Sequence, residues 1–242
     1  MNLIWGIKNA TSLRGLVIRA AIFGLAWLLL PFWLFLLIAL YFYFRPFFRP
    51  LKLFFPFLMT LFFAFTGQPG FLSAVFLSVL FYLLLGIKDL VFVDRKSSHE
   101  VLIMLLMFLT LTRLFSYYGS WGAPSAFFCA FAVGIVFFIL ANSFASEYGN
   151  GARAAVAGKP LKSEQIIPAI AALASWQLTL AAFFLPLNFL YQSALTFLSV
   201  AILLELISDH LGGALTRRRI LVYFSAFSVF FVLILGMAQW TL

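Results

Sequence analysis

The 242-residue chain is 65% apolar and only 10% charged, has a net charge of +9 and contains one cysteine, Cys129. A soluble domain averages roughly 45–50% apolar and about 25% charged residues, so a water-soluble fold is excluded. A single cysteine excludes an internal disulfide, and positive charge dispersed between apolar runs, rather than gathered in one patch, argues against nucleic acid as a partner.

Only helices and closed barrels satisfy the backbone in hydrocarbon, and the apolar runs here are continuous rather than alternating. The expected fold class is therefore all-α: a polytopic integral membrane protein. With no polar linker, low-complexity tract or repeat in the sequence, residues 1–242 read as a single helical membrane domain.

Taken in chain order, residues 1–15 form a basic segment in which Lys8 and Ser12, with Arg19 beyond, fall near one helical face, as in an interfacial helix. The first apolar run, 16–44, exceeds the ~7–15-residue core of a cleaved signal. It is interrupted in LLLPFWLF by Pro31, which lacks an N–H and clashes with the preceding turn. The expectation is a hairpin broken at Pro31, with arms too short to cross upright; the alternative is a single crossing. Runs 53–65 and 71–85 are short and joined by the turn TGQPG, which predicts a second helical hairpin. Runs 101–118, 123–145, 166–187, 193–207 and 220–240 follow. The total is about seven transmembrane helices plus the N-terminal hairpin, or eight transmembrane helices if 16–44 crosses.

Loops alternate in charge. The segments 45–52, 87–99, 146–165 and 209–219 carry twelve of the sixteen Lys and Arg, whereas TGQPG, GSWGAP and LNFLYQ carry none. Lys and Arg are retained on the cytoplasmic side, so the basic loops are expected there and the C-terminus on the opposite side, in a cytoplasmic (inner) membrane. Lys8, Arg14 and Arg19 also favour the cytoplasm, which is the reason for the Pro31 hairpin.

Candidate chemistry is sparse. Arg113 is the one charge well inside a full-length run, ~18 Å from Val101 along a helix. An intramembrane arginine either snorkels or grips an anion such as a lipid phosphate. All seven acids lie in or beside the basic loops. Glu205 and Asp209 are four apart at a helix C-terminus, where negative charge opposes the dipole; Arg217, Arg218 and Arg219 open the next helix and are equally misplaced. Pairing the two sets across the LGGA turn corrects both faults. The alternative is a divalent-metal site with Glu205 and Asp209 as oxygen ligands for Mg²⁺ and a phosphate-bearing substrate. Otherwise no cofactor is expected.

The loop GARAAVAGKPLKSEQIIPAIAALA resembles, over some ten residues, the basic stretch after the first aspartate motif of membrane prenyltransferases of the UbiA type. The aspartate-rich motifs that hold Mg²⁺-diphosphate in that family have no counterpart, the preceding stretch being NSFASEYGNG. A retinal protein would need a lysine in its last helix, and 220–242 has none. No family is assigned on these residues. The reading favours a non-catalytic subunit or scaffold of a membrane complex, with the bilayer and other membrane proteins as partners. The alternative is a transferase or transporter for a lipid-linked anionic substrate, with Arg113, Arg217, Arg218 and Arg219 as the anion-binding candidates.

Overall fold

The computed structural model describes residues 2–45, 53–92, 94–118, 123–148 and 163–238, with the side chains of 2–12, 118, 123–124 and 163–165 left aside. Most of the loops 45–52 and 146–165, the GSWGAP turn, the C-terminus from 239 and the helical face containing Lys8 and Ser12 therefore lie outside the described residues. Every described element of regular structure is α-helix: α1 (Asn2–Leu29), α2 (Phe32–Phe44), α3 (Phe54–Thr66), α4 (Phe71–Lys88), α5 (Arg95–Tyr118), α6 (Ala123–Tyr148), α7 (Ser163–Phe184), α8 (Phe189–Leu211) and α9 (Arg217–Met237). Among the described residues six stretches are long and apolar enough to cross a membrane: Phe71–Lys88, Arg95–Tyr117, Ser125–Tyr148, Ile166–Phe184, Phe189–Leu211 and Arg217–Met237. Helices α2 and α3, at 13 residues each, are shorter.

Backbone chemistry sets the boundaries. Leu30 donates the last bond of α1 to Ala26; Pro31, at φ −56° and ψ 146°, leaves the helix, and its carbonyl opens α2 by accepting from Leu34 and Phe35. Helix α1 runs unbroken through residue 15, so the basic segment is the start of that helix. Two helices begin earlier than hydropathy suggests because a polar residue caps them. Asp94 accepts from the Ser97 N–H at 3.1 Å and the Ser97 hydroxyl at 2.7 Å, and Asn188 accepts from Leu190 at 3.4 Å. The Ser97 hydroxyl, then its N–H, holds the exposed Asp94 carboxyl below the usual carboxylate range. Stability from this cap is therefore present above the ordinary carboxylate pKa and is lost as pH falls through the lowered one.

The chain divides into two compact units, residues 1–106 and 107–242. In the first, α1 packs on α2 and α4, and α3 packs on α4. Its core is aromatic: Phe23 stacks on Phe81 with centroids 4.0 Å apart, and its ring lies 4.9 Å from that of Phe35 across the Pro31 break. Trp27 donates its indole N–H to the Ala64 carbonyl at 2.8 Å, linking α1 to α3. Small residues let α1 and α4 touch: a Cβ on Gly24 would overlap the Ser78 hydroxyl and stand 3.0 Å from the Ala74 carbonyl. Lipid offers apolar side chains no less favourable surroundings than protein does, so close approach of this kind is how membrane helices gain packing energy.

In the second unit α6 packs on α7 and α8, α7 on α8, and α8 on α9. The α6–α7 approach is again at glycine, where a Cβ on Gly134 would lie 3.0 Å from the Trp176 Cβ. Five buried hydroxyls of α7 and α8 bond to their own helices: Ser175 to Ala172, Thr179 to Ser175, Ser193 to Phe189, Thr196 to Gln192 and Ser199 to Leu195. Such back-bonding satisfies a hydroxyl without a partner helix. Helix α9 differs from every other span in having no buried residue.

Candidate functional site

The structure places polar chemistry at two helix ends, one in each unit. In the second unit, α8 ends in a Schellman closure: Gly213, at φ 66°, donates to His210, and Ala214 donates to Asp209. The chain then reverses, and Thr216 caps α9 by accepting from the Arg219 N–H at 3.3 Å. Arg219 and Tyr223, one turn apart on α9, converge on Asp209: the guanidinium lies 2.6 Å from Oδ1, and the phenol donates to Oδ2 at 2.9 Å. The carboxylate at one helix's negative end and the arginine at the next helix's positive end thus offset each other's unfavourable dipole.

Glu205 lies one turn before Asp209 on α8, and Arg217 and Arg218 are exposed. Among the described residues no three His, Cys, Asp or Glu side chains gather into a metal-binding group. The Arg219 side chain is 51% exposed, so Asp209→Asn should lower stability only slightly. Adding Arg219→Gln should return part of that loss, since both changes remove one interaction. Mg²⁺ should leave the Tm of purified wild type and of Glu205→Gln equally unmoved. A rise in wild type alone would replace the ion pair with a metal site.

Arg113 stands apart. Ser193, near the start of α8, has its hydroxyl 3.5 Å from the Leu111 carbonyl, whereas Asp209 is at the other end of that helix, ~24 Å along its axis. Arg113 and Arg219 therefore do not share a site. The Arg113 side chain is half-buried, and its guanidinium makes no hydrogen bond or ion pair with a described residue.

The polar cluster of the first unit is absent from the sequence reading. Lys88 and Asp89 looked like loop residues, but α4 continues to Lys88 and buries it: its side chain is 0% exposed and that of Asp89 10%. The Lys88 ammonium lies 3.0 Å from Asp89 Oδ1, an ionic contact, and 5.4 Å from the centre of the Tyr43 ring. Arg19 reaches Asp89 Oδ2 at 3.4 Å from α1. Tyr43 stacks on Phe57 at 4.0 Å, and His99 is buried in the same unit. The backbone fixes this end of α4. Leu90 and Val91 donate to Ile87 and Gly86 in a second Schellman closure, but its left-handed position holds Leu90, at φ 58°, where glycine is usual. A leucine in that region costs ~1–2 kcal/mol, which the surrounding packing offsets. Phe92 folds back over Gly86, leaving no room for a Cβ there.

Two grooves lie apart from both clusters. A groove of about 530 Å³ between α1 and α4 has apolar walls with Ser78 and Tyr82 among the lining residues. A smaller one of about 220 Å³ between α6 and α7 is floored by Gly134 and Trp176. No carboxylate, histidine, lysine or arginine lines either. The fold and these sites define an all-helical transmembrane protein. Comparison with protein-family models, with curated proteins and with solved structures gives no match to the chain.

Proposed function

We propose that the protein is a non-catalytic membrane subunit or scaffold that docks against another membrane protein through α9. The observation that carries this reading is that α9 packs on α8 yet buries none of its 21 residues. The charges support the same reading, because Asp209 is engaged by Arg219 and Tyr223, and Asp89 by Lys88 and Arg19, so these acids serve helix-to-helix contacts. A photo-crosslinking residue at Val229, exposed on α9, should trap one discrete protein partner in intact membranes, while the same residue at Phe128, exposed on α6, should trap lipid. A lipid adduct alone at both positions would remove the proposal. The alternative, transfer or transport of a lipid-linked anionic substrate, would rely on Arg113 together with the arginines 217–219.

The same reading includes an orientation. The basic loops face the cytoplasm, the C-terminus lies on the opposite side, and the Pro31 break returns the N-terminus to the side of Arg45. Cysteines placed at Gln68 and Lys159 in a Cys129→Ala background should then react with an impermeant thiol reagent from opposite faces of the membrane. Labelling from one face would overturn the orientation.

A further inference from the structure

The groove between α1 and α4 combines an apolar trough with a cation at one end. Its floor is Gly24 and Ala74, where the helices touch, and Leu25 and Val75 rise on either side. The helices run antiparallel, since Arg19 meets Asp89 whereas Gly24, further along α1, meets Ser78 and Ala74, earlier on α4, so Val17 and Tyr82 bound the same end. Arg14 lies one turn before Val17 on that face of α1. It is exposed and makes no hydrogen bond or ion pair with a described residue. Asp89, the acid fixed at this end of α4, is already held by Lys88 and Arg19 and does not neutralise Arg14.

We infer that this groove binds an anionic glycerophospholipid, one acyl chain lying between α1 and α4 and the phosphate on the Arg14 guanidinium. A trough walled by hydrocarbon takes an acyl chain from any phospholipid, and it is the cation at its mouth that selects the anionic headgroup. Guanidinium matches phosphate oxygens in a two-pronged geometry, and basic pockets between membrane helices recognise anionic headgroups. The inference does not depend on α9 or on the scaffold reading.

The test uses the purified full chain in detergent micelles, with dioleoyl phosphatidylglycerol and dioleoyl phosphatidylcholine as probes of identical chain length, and native mass spectrometry to count retained lipid. Wild type should retain phosphatidylglycerol in preference. Arg14→Gln should weaken that retention about fivefold, the effect of one basic residue near an anionic headgroup, and leave phosphatidylcholine unchanged, while Arg14→Lys keeps most of the preference. Ala21→Phe, which fills the trough from an exposed position, should reduce retention of both lipids. Val79→Phe serves as a second filler should the first variant elute unlike wild type. Equal retention of the two lipids by wild type, or unchanged phosphatidylglycerol in Arg14→Gln, overturns the inference. So does a Tm rise with inorganic phosphate alone, which marks a free-anion site, or a dimer that Ala21→Phe dissolves, which marks a second copy of the chain in the groove.

Discussion

Asp89→Asn is expected to lower unfolding free energy by about 3 kcal/mol, the low end of the range for removing one partner of a buried ion pair. The loss is large because Lys88, whose side chain is 0% exposed, cannot recover its hydration by swinging outward. Desolvating an ammonium costs several kcal/mol, and the nearby Tyr43 ring returns only part of that as a cation–π contact. Replacing both members, as Lys88→Met with Asp89→Asn, should recover most of the stability, since a neutral side chain of similar length leaves no buried charge. Equilibrium unfolding in mixed micelles measures both variants. A loss below 1 kcal/mol for the single variant, or no recovery in the double, would sink the account of Lys88 as a buried partner of Asp89.

Gly24→Leu should destabilise the first unit by about 2–3 kcal/mol, the upper part of the range for overpacking a close contact. The first added carbon already overlaps the Ser78 hydroxyl, and behind it stands the Ala74 backbone carbonyl, which cannot rotate away. The Ser78 hydroxyl itself is tied to that carbonyl at 2.8 Å. The internal control is Gly15→Leu on the same helix, where an added Cβ meets nothing within 4 Å; leucine is the better helix former, so this change should be neutral or slightly stabilising. Equal losses at the two positions would show that glycine matters in α1 for its backbone freedom, not for the closeness of α4.

Local signals were legible in the sequence and distant ones were not. The apolar runs and the missing N–H of Pro31 act within a turn or two: each run has its helix and Pro31 separates α1 from α2, although α1 extends back to Asn2 and, at 28 residues, is not the short arm expected. The Asp209–Arg219 pair was legible because its members flank one turn, ten residues apart, and the dipoles of adjoining helices ask for it. Lys88 and Asp89 were not. A hydropathy reading ends the span at Leu85, where glycine and then charged residues follow, and assigns the last turn of α4 to a loop; the partner that holds Asp89, Arg19, is 70 residues away with no local mark of the relation. For the same reason α5 and α8 were started late, since Asp94 and Asn188 are polar yet belong to the helices they cap. The fit of Gly24 to Ser78 is likewise a property of two surfaces, and neither helix's sequence contains it alone.

The self-satisfied hydroxyls of α7 and α8 bear on the order in which the molecule is made. Each of these serines and threonines carries its acceptor within its own helix, so none of the five has to wait for a neighbour when its helix enters lipid. The ionic contacts require company, and synthesis from the N-terminus supplies it in sequence. Arg19 is in place long before Asp89 emerges, and Lys88 arrives beside it. Asp209 waits only ten residues for Arg219. The bond from Trp27 to Ala64 also waits for a later helix, but its donor is a neutral indole, which costs less to leave unpaired in lipid than a charge.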